Sequence, residues 1–146
     1  LNVLKEYKCN ATFFVIGNTV NENNIHILDE IKKNGSNIGN HGFVDYSSIL
    51  YSSEKLEDDI KKTEDKLYDY IISKSNKKYF RPGSGLFNSD MIKILKKLKY
   101  EIVLGNIYPH DCQIKNILWN SYFILHKIEK NHIIILHDKK YTVGLL

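Results

Sequence analysis

The sequence predicts an α/β fold built on a parallel sheet. Apolar, β-rich runs recur along the chain, and amphipathic helical segments separate them. Several of the runs also end in ionisable residues, and parallel α/β folds collect their functional groups where strands end. The 146 residues suffice for one domain with a sizeable core, and 42% apolar with 26% charged residues is ordinary for a soluble globular protein.

In chain order, residues 1–7 read as the end of a helix with Leu1, Val3 and Leu4 on its apolar side. Residues 11–16, Ala-Thr-Phe-Phe-Val-Ile, form a continuous apolar run closed by Gly17 and Asn18, the pattern of a strand covered on both faces. Residues 21–34 predict a helix with Ile25, Leu28 and Ile31 on one face and Gly35 just beyond its end. A short strand over 36–39 then delivers His41. Ser53 is placed to cap a long helix in which Leu56, Ile60, Leu67 and Ile71 recur, with Glu54, Glu57 and Asp58 near its positive end.

Lys78, Tyr79 and Phe80 make a short strand that runs directly into Arg81-Pro82-Gly83-Ser84-Gly85. Asn88 or Ser89 caps the next helix, whose apolar side is Ile92, Leu95 and Leu98. Residues 102–105 read as a buried strand leading to a loop over 106–114. Residues 117–128 predict a helix with Ile117, Ser121, Ile124 and Ile128 in register, and residues 133–136 a last strand ending in His137 and Asp138.

Charge excludes little. The net charge is +4, but the lysines come as scattered pairs (32–33, 61–62, 77–78, 96–97 and 139–140) on helix faces and turns. No basic stripe with interleaved aromatics marks a nucleic-acid surface, and no apolar run approaches membrane-spanning length. Cys9 and Cys112 are too few and too far apart for a disulfide framework or a structural zinc site and are expected to be buried small hydrophobes. The chain begins at Leu1 inside an amphipathic pattern, so it is expected to be a fragment.

The organising stretch is residues 37–45, Asn-Ile-Gly-Asn-His-Gly-Phe-Val-Asp. An imidazole at 41 and a carboxylate at 45 offer the mixed nitrogen and oxygen donors that zinc and harder divalent metals accept. The same pair also fits a turn histidine with a capping aspartate. The strand ends together supply Asn18, His41 with Asp45, Arg81, Asp111 and His137, a set suited to hydrolysis. Alternatives stand beside each one: His137 satisfied by backbone at a strand end, Arg81 as a structural pair, and Asp111 as part of a Tyr108-Pro109-His110-Asp111 turn. His26, His126 and His132 read as surface residues, His110 is undecided, and Trp119 fits either sugar stacking or packing.

These segments resemble the polysaccharide deacetylases, the NodB-homology domain of the family-four carbohydrate esterases. The resemblance is carried by Ala11 to Gly17, by Ile38-Gly39-Asn40-His41, by Phe80-Arg81-Pro82-Gly83-Ser84-Gly85 with Asn88, and by Ile135-Leu136-His137-Asp138, in the family's order. It implies an incomplete, distorted (β/α) barrel, one deacetylase domain over residues 1–146 truncated at both ends, since a whole barrel takes roughly 200 residues or more. The family's Thr-Phe-Asp-Asp-Gly-Pro motif is absent, Asp45 stands where a second histidine is usual, and Ser84 where a tyrosine is common.

The resemblance also implies a metal-dependent hydrolase that removes N-acetyl groups from an N-acetylglucosamine polymer such as chitin or peptidoglycan. It further implies a divalent metal, zinc, held by His41 and Asp45 with an aspartate upstream. His137 would be the general acid, Asp111 its orienting carboxylate, and Arg81 the partner of the missing base. The Ser84 N–H would face the oxyanion and Leu136 the acetyl methyl. The carbohydrate polymer is the one partner implied, and the fragment alone is expected to be inactive. A catalytically inactive carbohydrate-binding relic of the fold is the rival, and an unrelated α/β domain without a metal site is the third reading.

Overall fold

Four strands lie side by side in sequence order, β1 (Thr12–Val15), β2 (Asn37–Asn40), β3 (Lys78–Phe80) and β4 (Tyr100–Ile102), all parallel. The structure is a computed structural model that describes residues 1–73 and 75–139. It divides into two units, Leu1–Val103 and Leu104–Leu146, and each is described by itself.

In the first unit, the strands alternate with α2 (Ile25–Lys33), α3 (Ser53–Lys66) and α4 (Ser89–Lys97), after a short α1 (Asn2–Glu6). The register runs Thr12 to Asn37 through Val15 to Asn40, then Asn40 to Phe80, then Lys78 to Tyr100 through Phe80 to Ile102. Among the described strands the order never reverses, so they contain no switch point of the doubly wound kind. The groups that matter therefore belong at the C-terminal strand ends, as in barrels.

The core is assembled from Leu28 and Ile31 of α2, Ile38 of β2, Leu56 and Ile60 of α3, Phe80 of β3, and Met91, Ile94 and Leu95 of α4. Each such side chain contributes about 1.5–3 kcal/mol when fully buried. Phe80 and Tyr100 meet edge to face at 6.4 Å.

Several expected boundaries shift, each for a local reason. The helix expected from residue 21 starts at Ile25, because Asn24 Oδ1 accepts from the Asn21 N–H at 2.9 Å and Asn21 Oδ1 from the Asn23 N–H at 3.0 Å. These side chains build a turn that competes with the helix, and Ile25 is left exposed. Ser52, not Ser53, caps α3, its hydroxyl accepting from the Lys55 N–H at 3.3 Å. Asn88 caps α4, accepting from the Met91 N–H at 2.9 Å. The buried side of α4 is Met91, Ile94 and Leu95, whereas Ile92 and Leu98 are half-buried. β4 lies two residues earlier than expected, entered through Lys99 at φ 60°. β1 is half-buried along its length because it forms one edge of the sheet.

In the second unit, α5 (Ile117–Lys127) is capped by Asn116, whose side chain accepts from the Trp119 N–H at 3.0 Å. Its buried residues are Asn120 and Ile124; Ile117, Ile128 and Trp119 are exposed, against the expected face. Asn120 Nδ2 donates to the Ile114 carbonyl at 2.8 Å. The strand expected at 133–136 is a single parallel bridge, Ile107 to Ile134. The Ile107 N–H donates to Ile133 and the Ile135 N–H to Ile107, at 3.1 and 2.9 Å. The next rung would need an N–H from residue 109, which is proline and has none.

Cys9 is exposed and Cys112 half-buried, so neither is the fully buried hydrophobe expected. Members of three of the lysine pairs engage carboxylates: Lys61 and Lys97 both reach Glu57, at 2.6 and 2.8 Å, and their hydrogen bonds hold its carboxyl down at about 2, whereas Lys32 donates to the Tyr70 and Ile72 carbonyls. Lys140, from the last pair, lies outside the described residues. No helix among the described residues is long and apolar enough to cross a membrane.

Candidate functional site

The loop that follows β2 is held from below by a buried amide. Asn40 is fully buried; its Nδ2 donates to the Ile60 carbonyl at 2.9 Å and to the Tyr100 hydroxyl at 3.3 Å, while its Oδ1 accepts from the Gly42 N–H at 2.8 Å. Burial pushes the Tyr100 hydroxyl well above its ordinary value, with the Glu64 carboxylate adding to the effect, so it stays protonated and donates to Glu64 at 3.1 Å. Gly42 turns the chain at φ +84°, and any Cβ there would sit 2.7 Å from Asp59 Oδ2. The same Asp59 oxygen accepts from the Phe43 N–H at 2.8 Å. Burial pushes the Asp59 carboxyl up, and the Phe43 hydrogen bond opposes that. On the other side, the Gly17 and Asn18 N–H groups donate to the Gly42 and Phe43 carbonyls at 3.0 and 2.9 Å.

His41 is therefore delivered by a fixed backbone. Its N–H donates to the Val15 carbonyl at 3.0 Å, and its Nδ1 lies 2.7 Å from the Arg81 carbonyl oxygen. A carbonyl can only accept, so Nδ1 carries the hydrogen and Nε2 the lone pair. A metal-binding imidazole is ordinarily held this way, with its second nitrogen tied to a backbone carbonyl or carboxylate. Asp45 is exposed in the bend at 43–46, on the same loop. An imidazole nitrogen and a carboxylate oxygen are among the donor types that zinc accepts.

Arg81 follows β3 directly, its N–H donating to the Asn40 carbonyl at 3.0 Å. The two motif loops interlock: the Gly83 N–H donates to the Ser48 hydroxyl at 3.1 Å, and a Cβ on Gly83 would run into the Tyr46 carbonyl. Ser84 is exposed and left-handed at φ 61°. Gly83→Ala should therefore force the two loops apart and lower stability by about 1–3 kcal/mol, read as a shift in urea midpoint. An unchanged midpoint would mean the close approach is not maintained in solution.

In the second unit, a fully buried Asp111 grips His137 twice. Its Oδ1 lies 2.9 Å from His137 Nδ1, and its Oδ2 accepts from the His137 backbone N–H at 2.8 Å. The turn before it passes through His110 at φ 56°, and the Tyr108 ring stands edge-on to His137 at 5.7 Å. The carboxylate oxygen accepts from Nδ1, which fixes the orientation of the imidazole and places the hydrogen on Nδ1. Leu136, beside it, is half-buried. The Cys112 sulfur joins this pair: one donor atom each from Asp111, Cys112 and His137 lie within 4.8 Å of one another.

Sequence reasoning missed the supports. Asn40 was read only as part of a motif, and Asp59 and Tyr100 were not singled out at all. A signal existed for Asp59: it lies at the i+3 position of an apolar stripe, Leu56, Ile60 and onward, where a polar residue contradicts the helix's binary pattern.

Comparison with known proteins follows the same outline. Residues 1–103 match the sequence profile of the family described as polysaccharide deacetylase, ending where the first unit ends. A peptidoglycan-N-acetylmuramic acid deacetylase, PdaA of Bacillus subtilis, is 29% identical over 140 residues, covering 94% of this chain and 52% of that protein. A peptidoglycan-N-acetylglucosamine deacetylase of Bacillus cereus is 30% identical over 140 residues, covering 94% of this chain and 64% of that protein. Among solved structures, a CE4 family pseudoenzyme from Bacillus anthracis superposes with a TM-score of 0.88 at 22% identity, over 99% of this chain and 50% of that one. The chain thus spans between about half and two thirds of the length of these three proteins.

Proposed function

The chain belongs to the polysaccharide deacetylase family, and from that premise we propose that its protein is a metal-dependent N-deacetylase of an N-acetylglucosamine-containing polysaccharide of the peptidoglycan or chitin type. Relatives named as deacetylases of peptidoglycan and of chitooligosaccharide support this substrate class. His41, through Nε2, and Asp45 would hold a divalent metal, zinc by its donor set. Such an ion, when bound, supplies a Lewis acid for the acetyl carbonyl.

The residues' own work is proton movement and positioning. Water adds to the amide carbon, the C–N bond breaks, and acetate and a free amine leave. The amine nitrogen is a poor leaving group until it gains a proton, and His137 Nε2 would donate it. Asp111 would hold the imidazole in that tautomer and balance its charge. Arg81 would keep a neighbouring carboxylate base ionised, the Ser84 N–H would face the oxyanion, and Leu136 would receive the methyl group. The observation that carries the reading is Asp111's double grip on the His137 backbone and ring.

The rival is an inactive relic that binds the glycan, supported by the likeness to a pseudoenzyme fold and by Asp45 in place of a histidine. Acetate release from chito-oligosaccharides and from peptidoglycan fragments by the full-length protein separates the two. Release that stops on chelation and returns with one equivalent of zinc is expected. Glycan binding without release, or release indifferent to chelator, would sink the proposal.

A further inference from the structure

We propose that Asp111, Cys112 and His137 form a thiolate-containing site for a thiophilic divalent cation such as zinc or cadmium. Three different donor types converge there: a carboxylate oxygen that is fully buried, and a sulfur and an imidazole nitrogen that are both half-buried. Their atoms lie within 4.8 Å of one another, and Asp111 Oδ1 and His137 Nδ1 are 2.9 Å apart.

Zinc bonds of about 2.0–2.3 Å put adjacent ligand atoms of a tetrahedron roughly 3.3–3.7 Å apart. The oxygen–nitrogen pair opens by a few tenths of an ångström, and the widest separation closes by about 1 Å, to reach that geometry. Three protein donors leave a fourth position for water. A sulfur ligand selects zinc, cadmium or cobalt over magnesium, calcium and manganese, which prefer oxygen. On binding, the Cys112 thiol proton passes to solvent, while the imidazole changes tautomer: Nδ1 gives up its hydrogen, Nε2 gains one and the ring stays neutral, so the cation takes the place of the hydrogen now shared by His137 and Asp111.

The donor set differs from that at His41 and Asp45, which has no sulfur, and a spectroscopic probe separates them. Cadmium chloride titrated into the metal-free, full-length protein should produce a sulfur-to-cadmium charge-transfer band that saturates at one equivalent. Cys112→Ser should abolish the band and Cys9→Ser should retain it. His137→Gln should lower the affinity at least about tenfold. In the wild type, cadmium should also protect Cys112 from alkylation, mapped by peptide mass, so the outcome does not depend on a variant that folds poorly. No sulfur band in the wild type, a band that survives Cys112→Ser, or alkylation of Cys112 unaffected by cadmium would each overturn the site. None of these readouts requires turnover, so a protein inactive as a deacetylase would still test it.

Discussion

His137→Ala should lower kcat for acetate release by the full-length protein about 10²–10⁴-fold, with KM nearly unchanged. The imidazole is oriented by a carboxylate that has no exposure to solvent and that bonds both the ring and the backbone of residue 137. Its proposed proton goes to a nitrogen only as the C–N bond breaks, so the interaction belongs to the transition state and not to substrate binding. An aryl acetate offers the contrast, because a phenolate departs without being protonated. The variant should lose far less activity on that ester than on the N-acetyl glycan. Equal losses on both would reassign His137 from proton donor to structural support. Asp111→Asn should fall between the two, since an amide has one oxygen where the two N–H groups of His137 now find two.

The features written in contiguous residues were legible before the structure. β3 is where Lys78, Tyr79 and Phe80 run into Arg81-Pro82, Asn88 caps α4 as one of the two residues expected to do so, and Gly35 ends α2 in the left-handed conformation at φ 82°. The parallel direction of the strands followed from the alternation alone. What escaped the sequence depends on partners far along the chain. Residues 133–136 have the composition of a strand, but the ladder is cut by Pro109 on the opposite segment. α5 is apolar nearly all round, with Leu118, Trp119, Tyr122 and Leu125 between the expected contact positions, so periodicity could not choose its buried face. The turn of asparagines at 21–24 follows from side chains bonding backbone, an effect periodicity does not see. At the candidate site the chemically conspicuous residues stood out, His41, Arg81, Asp111 and His137. The buried amide and carboxylate that hold the His41 loop did not, because their partners are 2, 16, 20 and 60 residues away.

Asn40→Leu should be the most damaging change to stability in this loop, at about 2–5 kcal/mol. The side chain is fully buried and makes three hydrogen bonds, to Gly42, Ile60 and Tyr100. Leucine keeps the branched heavy-atom skeleton, but its two methyl groups are bulkier than an oxygen and an amino group, so overpacking adds to the polar loss. The Gly42 N–H would be left buried without its acceptor, at a cost of about 1–3 kcal/mol, and the two donated bonds add roughly 0.5–1.5 kcal/mol each. Ile60 and Tyr100 lose less than Gly42, because a carbonyl has a second lone pair and the Tyr100 hydroxyl keeps Glu64 at 3.1 Å. Aspartate at position 40 is no remedy. It restores an acceptor for Gly42 but donates nothing to Ile60, and it buries a charge in the helix–sheet interior. The urea midpoint of the full-length protein reads the loss. Zinc affinity should fall with it, since His41 follows Asn40 directly and its ring is aimed by the backbone that Asn40 fixes. A variant that unfolds at the wild-type midpoint would show that the amide fills space and does not hold the loop.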